Sequence, residues 1–181
     1  MKEKKIHEEV EIPEGVTAEY TNQELILKGP MGEARQKMVD PKVTIQVSDK
    51  IIFTCDNSTR REKAKIGSYC AHARNLVRGV TEKFTYTLKI CSGHFPMNVS
   101  VNKGQFIIKN FLGEKVPRVL DLKPGVDVKV DGNDITVEGT NREHTGQVAA
   151  DIEQLCRITN RDKRIFQDGI YITNKAGKEI K

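Results

Sequence analysis

The chain has 181 residues, of which 37% are hydrophobic and 30% charged, with no Trp and a formal net charge of +5. That mixture describes a protein with much polar surface, contains no apolar run long enough to cross a membrane, and favours polyanionic partners over acidic ones. Cys55, Cys70, Cys91 and Cys156 lie far apart with no Cys-x-x-Cys pair, which excludes a disulfide scaffold and reads as structural thiols.

Met1-Lys2-Glu3-Lys4-Lys5 leads into an acidic stretch with no apolar run behind it, so no signal peptide is expected and cytosolic residence follows as the default. Leu25-Ile26-Leu27-Lys28-Gly29-Pro30-Met31-Gly32-Glu33 comes next, and returns 81 positions later as Phe106-Ile107-Ile108-Lys109-Asn110-Phe111-Leu112-Gly113-Glu114. The Gly-rich part lacks the Gly-Lys-Ser/Thr ending of a phosphate loop, and Pro30 removes a donor, so it reads as a turn. Val43, Ile45 and Val47 alternate, pause at Ser48-Asp49-Lys50 and resume at Ile51 to Phe53, which predicts a hairpin.

Thr59 with Glu62 spells a capping box, and Ile66, Tyr69, Cys70, Ala73, Leu76 and Val77 share one helical face that Gly79 is placed to terminate. Phe84, Tyr86, Leu88 and Ile90 then alternate as a strand that begins a second copy. In that copy Val126, Val128 and Val130, a turn at Asp131 to Asp134, and Ile135 with Val137 repeat the hairpin. Thr140 with Glu143 repeats the box, and Val148, Ala149, Ile152, Leu155 and Cys156 repeat the stripe at an offset that predicts a helix about two residues shorter. A sheet with one apolar face and one amphipathic helix must pack one across the other. The fold class is therefore α+β: two tandem duplicated domains, 1–82 and 83–181, each a small, mostly antiparallel sheet packed by one main helix.

The four histidines are scattered through unlike contexts and no acid, base or nucleophile converges with them, so no enzyme active site and no cofactor are expected. Cys91 and His94 have the spacing of half a zinc site, with no second pair to close it. Asn160 to Tyr171 has no counterpart after the first helix. From Arg157 onward seven basic residues face three acidic ones. One reading is a charged loop and a terminal strand held down by Ile165, Phe166 and Tyr171. The other is a phosphate-binding edge in which Arg161, Lys163, Arg164 and Lys175 meet RNA phosphates and Gly169 lets the main chain come close. Lys109, Lys115 and Arg118 form a secondary set.

His94-Phe95-Pro96-Met97-Asn98-Val99, Asn110 to Lys115, Lys123-Pro124-Gly125-Val126 and Phe166 to Tyr171 together resemble the ribosomal protein six family of the large subunit, in its archaeal and eukaryotic form. Ile12 to Val16, Leu27 to Pro30 and Asn75 to Thr81 resemble its N-terminal domain. The stretch Gly32-Glu33-Ala34-Arg35 is less basic than in eukaryotic relatives and the Trp before their first helix is missing, which favours an archaeal type. The resemblance implies a non-enzymatic constituent of the large ribosomal subunit that binds large-subunit ribosomal RNA mainly through its C-terminal domain. It also implies a position near the stalk base and the sarcin-ricin loop, with neighbouring ribosomal proteins and translational GTPases close by, and no membrane. The alternative is a duplicated protein-interaction module whose charge keeps it soluble.

Overall fold

The computed structural model describes residues 3–180. The chain divides into two compact units, with the boundary between Lys83 and Phe84. The first contains strands β1 (Glu3–Glu11), β2 (Thr17–Thr21), β3 (Glu24–Gly29), β4 (Gly32–Lys37), β5 (Thr44–Val47) and β6 (Lys50–Ser58), then helix α1 (Arg60–Thr81). Every pairing is antiparallel, and the strands form two sheets, ordered β1-β6-β5 and β2-β3-β4. Alternation turns Leu25 and Leu27 of β3 and Ile51, Phe53 and Cys55 of β6 inward, where Ile66, Cys70, Ala73, Leu76 and Val80 of α1 cover them. A two-residue period on the strands and a 3.6-residue period on the helix thus meet in one core.

Thr59 and Glu62 form the expected reciprocal cap, with the Glu62 carboxylate accepting from the Thr59 N–H at 2.9 Å. Gly79, however, does not end α1. It is buried inside the helix, which continues to Thr81 with Glu82 as the C-cap. Tertiary contact outweighs the glycine preference here: the Val80 side chain is fully buried and its carbonyl accepts from the Met31 N–H at 3.0 Å. A β-carbon on Gly29 would come within 2.8 Å of that same oxygen, so glycine at this position is what lets the β3–β4 turn close on the helix end.

The second unit contains β7 (Phe84–Cys91), β8 (Asn98–Asn102), β9 (Gln105–Lys109), a 3-10 turn (Phe111–Gly113), β10 (Arg118–Asp121), β11 (Val126–Asp131), β12 (Asp134–Gly139), helix α2 (Arg142–Leu155), β13 (Gly169–Lys175) and β14 (Lys178–Glu179). Its sheets are ordered β10-β9-β8 and β11-β12-β7-β13-β14. The duplication is visible element by element: β7-β12-β11 repeats β1-β6-β5, and β8-β9-β10 repeats β2-β3-β4. Leu25 and Phe106 both stand second in the central strand of the corresponding sheets β2-β3-β4 and β10-β9-β8, and both are fully buried. What the second copy adds is β13, which pairs antiparallel along the free edge of β7.

Three local expectations are corrected. The cap of α2 is Asn141 and not Thr140: its Oδ1 accepts from the N–H groups of Glu143 at 2.9 Å and His144 at 3.3 Å, as a helix-capping side-chain oxygen does. Helix α2 has 14 residues against 22 in α1, a larger difference than the stripe offset predicts, because the chain leaves at Cys156 to build the added strand. The stretch after β9 is also no simple copy of the first hairpin turn, since Asn110, Leu112 and Gly113 take left-handed φ of 60°, 50° and 80°. The excursion costs roughly 1–2 kcal/mol per non-glycine residue, and it is offset by burying Phe111 and Leu112 in the core.

Candidate nucleic-acid interface

Segment 157–168 leaves the end of α2 and returns as β13, and its anchor is Asp168. That side chain is 2% exposed, and its carboxylate accepts from the backbone N–H groups of Gly93 (2.9 Å), His94 (3.1 Å) and Phe95 (3.3 Å) and from His94 Nδ1 (2.9 Å). Burial by itself would push this carboxyl up. The hydrogen bonds from His94 and from the three amides outweigh it and hold the group below its ordinary value. Successive N–H groups turned toward one anion form a small nest, here filled by the protein's own carboxylate. His94 Nδ1 is paired with Asp168, and among the described residues no group of three or more His, Cys, Asp and Glu side chains is placed to hold a metal ion.

Aromatic contacts continue the anchor outward. The His94 ring lies 5.0 Å from that of Phe166, and the Arg161 guanidinium stands 4.9 Å from the same Phe166 centroid. Of the three residues in the anchoring reading, Ile165 is 62% exposed and Tyr171 43% exposed, with its hydroxyl bonded to the Gln167 carbonyl, and the buried side chains of β13 are Ile170 and Ile172. The strand parity decides this, since residues 170 and 172 face the core and residue 171 faces outward.

Arg118, a candidate phosphate contact from the sequence, is engaged within the protein. Its guanidinium makes four hydrogen bonds, two to Glu114 (2.8 and 2.5 Å) and two to the carbonyls of Leu155 (2.6 Å) and Arg157 (3.2 Å), and sits 4.3 Å from the Phe111 centroid. It closes the C-terminal end of α2, where unpaired carbonyls attract a cation, and it ties the 114–118 loop to that end. The Glu114 hydrogen bond raises the Arg118 pKa further and lowers that of Glu114. Gly169 is buried at the start of β13, where a β-carbon would meet the Tyr171 ring at 3.1 Å, so its missing side chain makes room for Tyr171.

The remaining candidates are exposed. Arg161 and Lys163 lie on the added segment, and Lys115 stands on the loop that Arg118 joins to it, so the structure brings these three onto connected elements. Arg164 is held by Asp162 through a forked contact (Nη2 to Oδ2 at 2.8 Å), leaving it exposed but paired. Lys109 closes β9. Lys175 sits at the other end of β13, about 20 Å along the strand from Gly169 at roughly 3.3 Å per residue, and so apart from the cluster. The sequence gives no sign of Asp168 as an anchor or of His94 as its partner, and Arg157 is not among the candidate contacts. Nothing local marks Asp168, whose partners are more than 70 positions away; Arg157 could have been found as the first cation beyond a helix end.

A family model described as ribosomal protein L6 matches the chain twice, over residues 12–83 and 95–169. The large ribosomal subunit protein uL6 of Methanobrevibacter smithii is 44% identical over 171 residues, covering 94% of this chain and 96% of that protein. The corresponding protein of Methanococcus vannielii is 42% identical over 97% of each chain, and that of Natronomonas pharaonis 41% identical over 91% of this chain and 94% of its own. These relatives are archaeal.

Proposed function

The chain belongs to the ribosomal protein L6 family, whose members are structural and not enzymatic, and from that premise we propose that it binds large-subunit ribosomal RNA through the added C-terminal segment of its second unit. The observation that carries this reading is the distribution of charge. Residues 84–156 carry eight basic and nine acidic side chains, whereas residues 157–181 carry seven basic and three acidic ones. The excess thus falls on the element that the duplicated plan does not require, and Arg157, Arg161 and Lys163 on it are exposed and outside any ion pair among the described residues. Lys109, Lys115, Lys175 and the Asp162-paired Arg164 are secondary contacts to phosphate oxygens. Arg118, Gly169 and Asp168 shape the surface without touching the RNA.

In this reading the protein is a structural part of the large subunit in the cytoplasm, seated near the stalk base and the sarcin-ricin loop. It supports the region where translational GTPases act, with ribosomal proteins as its other neighbours. No helix among the described residues is long and apolar enough to cross a membrane. The test is co-sedimentation of the full chain with large subunits through washes of rising salt. Retention at moderate salt with release at high salt is expected, since the phosphate term weakens steeply as counterions compete. Failure to co-sediment at any salt would overturn the reading in favour of a protein-interaction module.

A further inference from the structure

We propose that the cleft between the end of α2 and β13 takes one unpaired nucleotide of the RNA, its base laid against Tyr171 and its phosphates on Arg157 and Lys163. The proposal rests on the RNA-binding reading above and assigns it a specific recognition site. The cleft measures about 270 Å³ and is lined by Cys156, Ile158, Phe166 and Tyr171 on its apolar side, with Arg157 and Lys163 among its polar lining. It lies just under the range of about 300–1,000 Å³ typical of drug-sized ligands, a size suited to a single base. Cys156 and Ile158 are core residues, so the floor is fixed.

Tyr171 is the platform. Its ring backs onto Gly169, its hydroxyl donates to the Gln167 carbonyl at 2.9 Å, and 43% of the residue stays exposed although it sits among apolar neighbours. A ring locked from behind and open in front is arranged to receive a flat partner at little entropic cost. Every base offers such a face, and bases that leave a stack are held in this way on aromatic side chains. Charge selects the occupant: Arg157 and Lys163 lie outside any ion pair among the described residues, whereas the one acid in the lining, Glu153, is already bonded to the Ile172 N–H at 3.2 Å. A hydrophobic side chain of a protein partner would leave both cations unmatched.

The experiment is ultraviolet cross-linking of assembled large subunits containing the full chain, with the adduct located by mass spectrometry, together with affinity for deproteinised large-subunit RNA across salt concentrations. An adduct joining Tyr171 or Phe166 to an unpaired nucleotide is expected. Tyr171→Leu keeps an apolar cover over Gly169; it should weaken binding about five- to hundredfold with the salt slope unchanged, whereas Arg157→Ala with Lys163→Ala should flatten the slope. Co-sedimentation without an adduct in the cleft, with adducts only elsewhere, or with Tyr171→Leu binding as the wild type, overturns the slot and leaves the RNA-binding reading standing. Loss of all salt-dependent binding by the wild type removes both. Unchanged thermal unfolding of Tyr171→Leu separates a binding effect from misfolding.

Discussion

Arg118 and Asp168 are charged residues doing architectural work, and substitution separates that work from RNA contact. Arg118→Ala leaves the last carbonyls of α2 and the Glu114 carboxylate without their partner, a loss of about 1.5–3 kcal/mol for hydrogen bonds to a charged group. Urea unfolding should record it, while the salt slope of RNA binding stays as in the wild type. Asp168 has a folded-state pKa below its ordinary 3.8, so its contribution is present above that value and is lost as pH falls through the lowered folded value. Asp168→Asn should therefore destabilise the second unit at neutral pH and flatten the acid side of its stability profile below about pH 4; an acid profile identical to the wild type would show that the anchor contributes nothing. Among the thiols, Cys55, Cys70 and Cys156 are buried and Cys91 is exposed. Burial pushes the Cys156 thiol up to about 11 and that of Cys70 above its ordinary value. One equivalent of alkylating reagent should react promptly in the native state, at Cys91, and the other three only on unfolding.

At the scale of elements, the helix starts are the most sequence-legible features and still show how context chooses among candidates. Thr59→Ala and Asn141→Ala should each cost about 0.5–2 kcal/mol, read as lower denaturation midpoints with faster amide exchange in the first turn of α1 and α2 respectively. If Asn141→Ala is silent, Asn141 is not the cap. Glu62 is one-tenth exposed, bonded by Thr59 and by Lys42 Nζ at 2.9 Å, and these contacts lower its pKa from 4.5 to about 2. Its support of the α1 start is accordingly complete above pH 4.5 and fades toward pH 2. The hairpins and the alternating strands were readable because strand parity writes itself into every second residue. The left-handed run at Asn110 to Gly113 was not, since its compensation is the distant burial of Phe111 and Leu112.

For the whole molecule, the consequence is a division of labour within the second unit between a nearly neutral duplicated body and a basic addition. If Arg161 and Lys163 each neutralise one phosphate, replacing both by Ala should flatten the log-log salt dependence of RNA affinity by up to about two units, near 0.9 per duplex contact. Arg164→Ala should change it less, because Asp162 already holds that guanidinium. An unchanged slope in the double variant, with unfolding intact, would place the RNA surface elsewhere.

The sequence by itself determined the duplication, the α+β class, the apolar faces and the basic bias of the last segment. All of these depend on periodicity and on neighbours close along the chain. Tertiary structure alone decided which cations are engaged internally and which stand exposed: Arg118 and Arg157 look alike in the sequence, yet one closes a helix end and the other lies at the surface. It likewise decided that Asp168 fills a nest of amides from residues 93–95 and that Gly169 serves Tyr171. The physical reason is that hydrogen bonds and close approaches are set by distance in space, which for these residues has no trace in their separation along the chain.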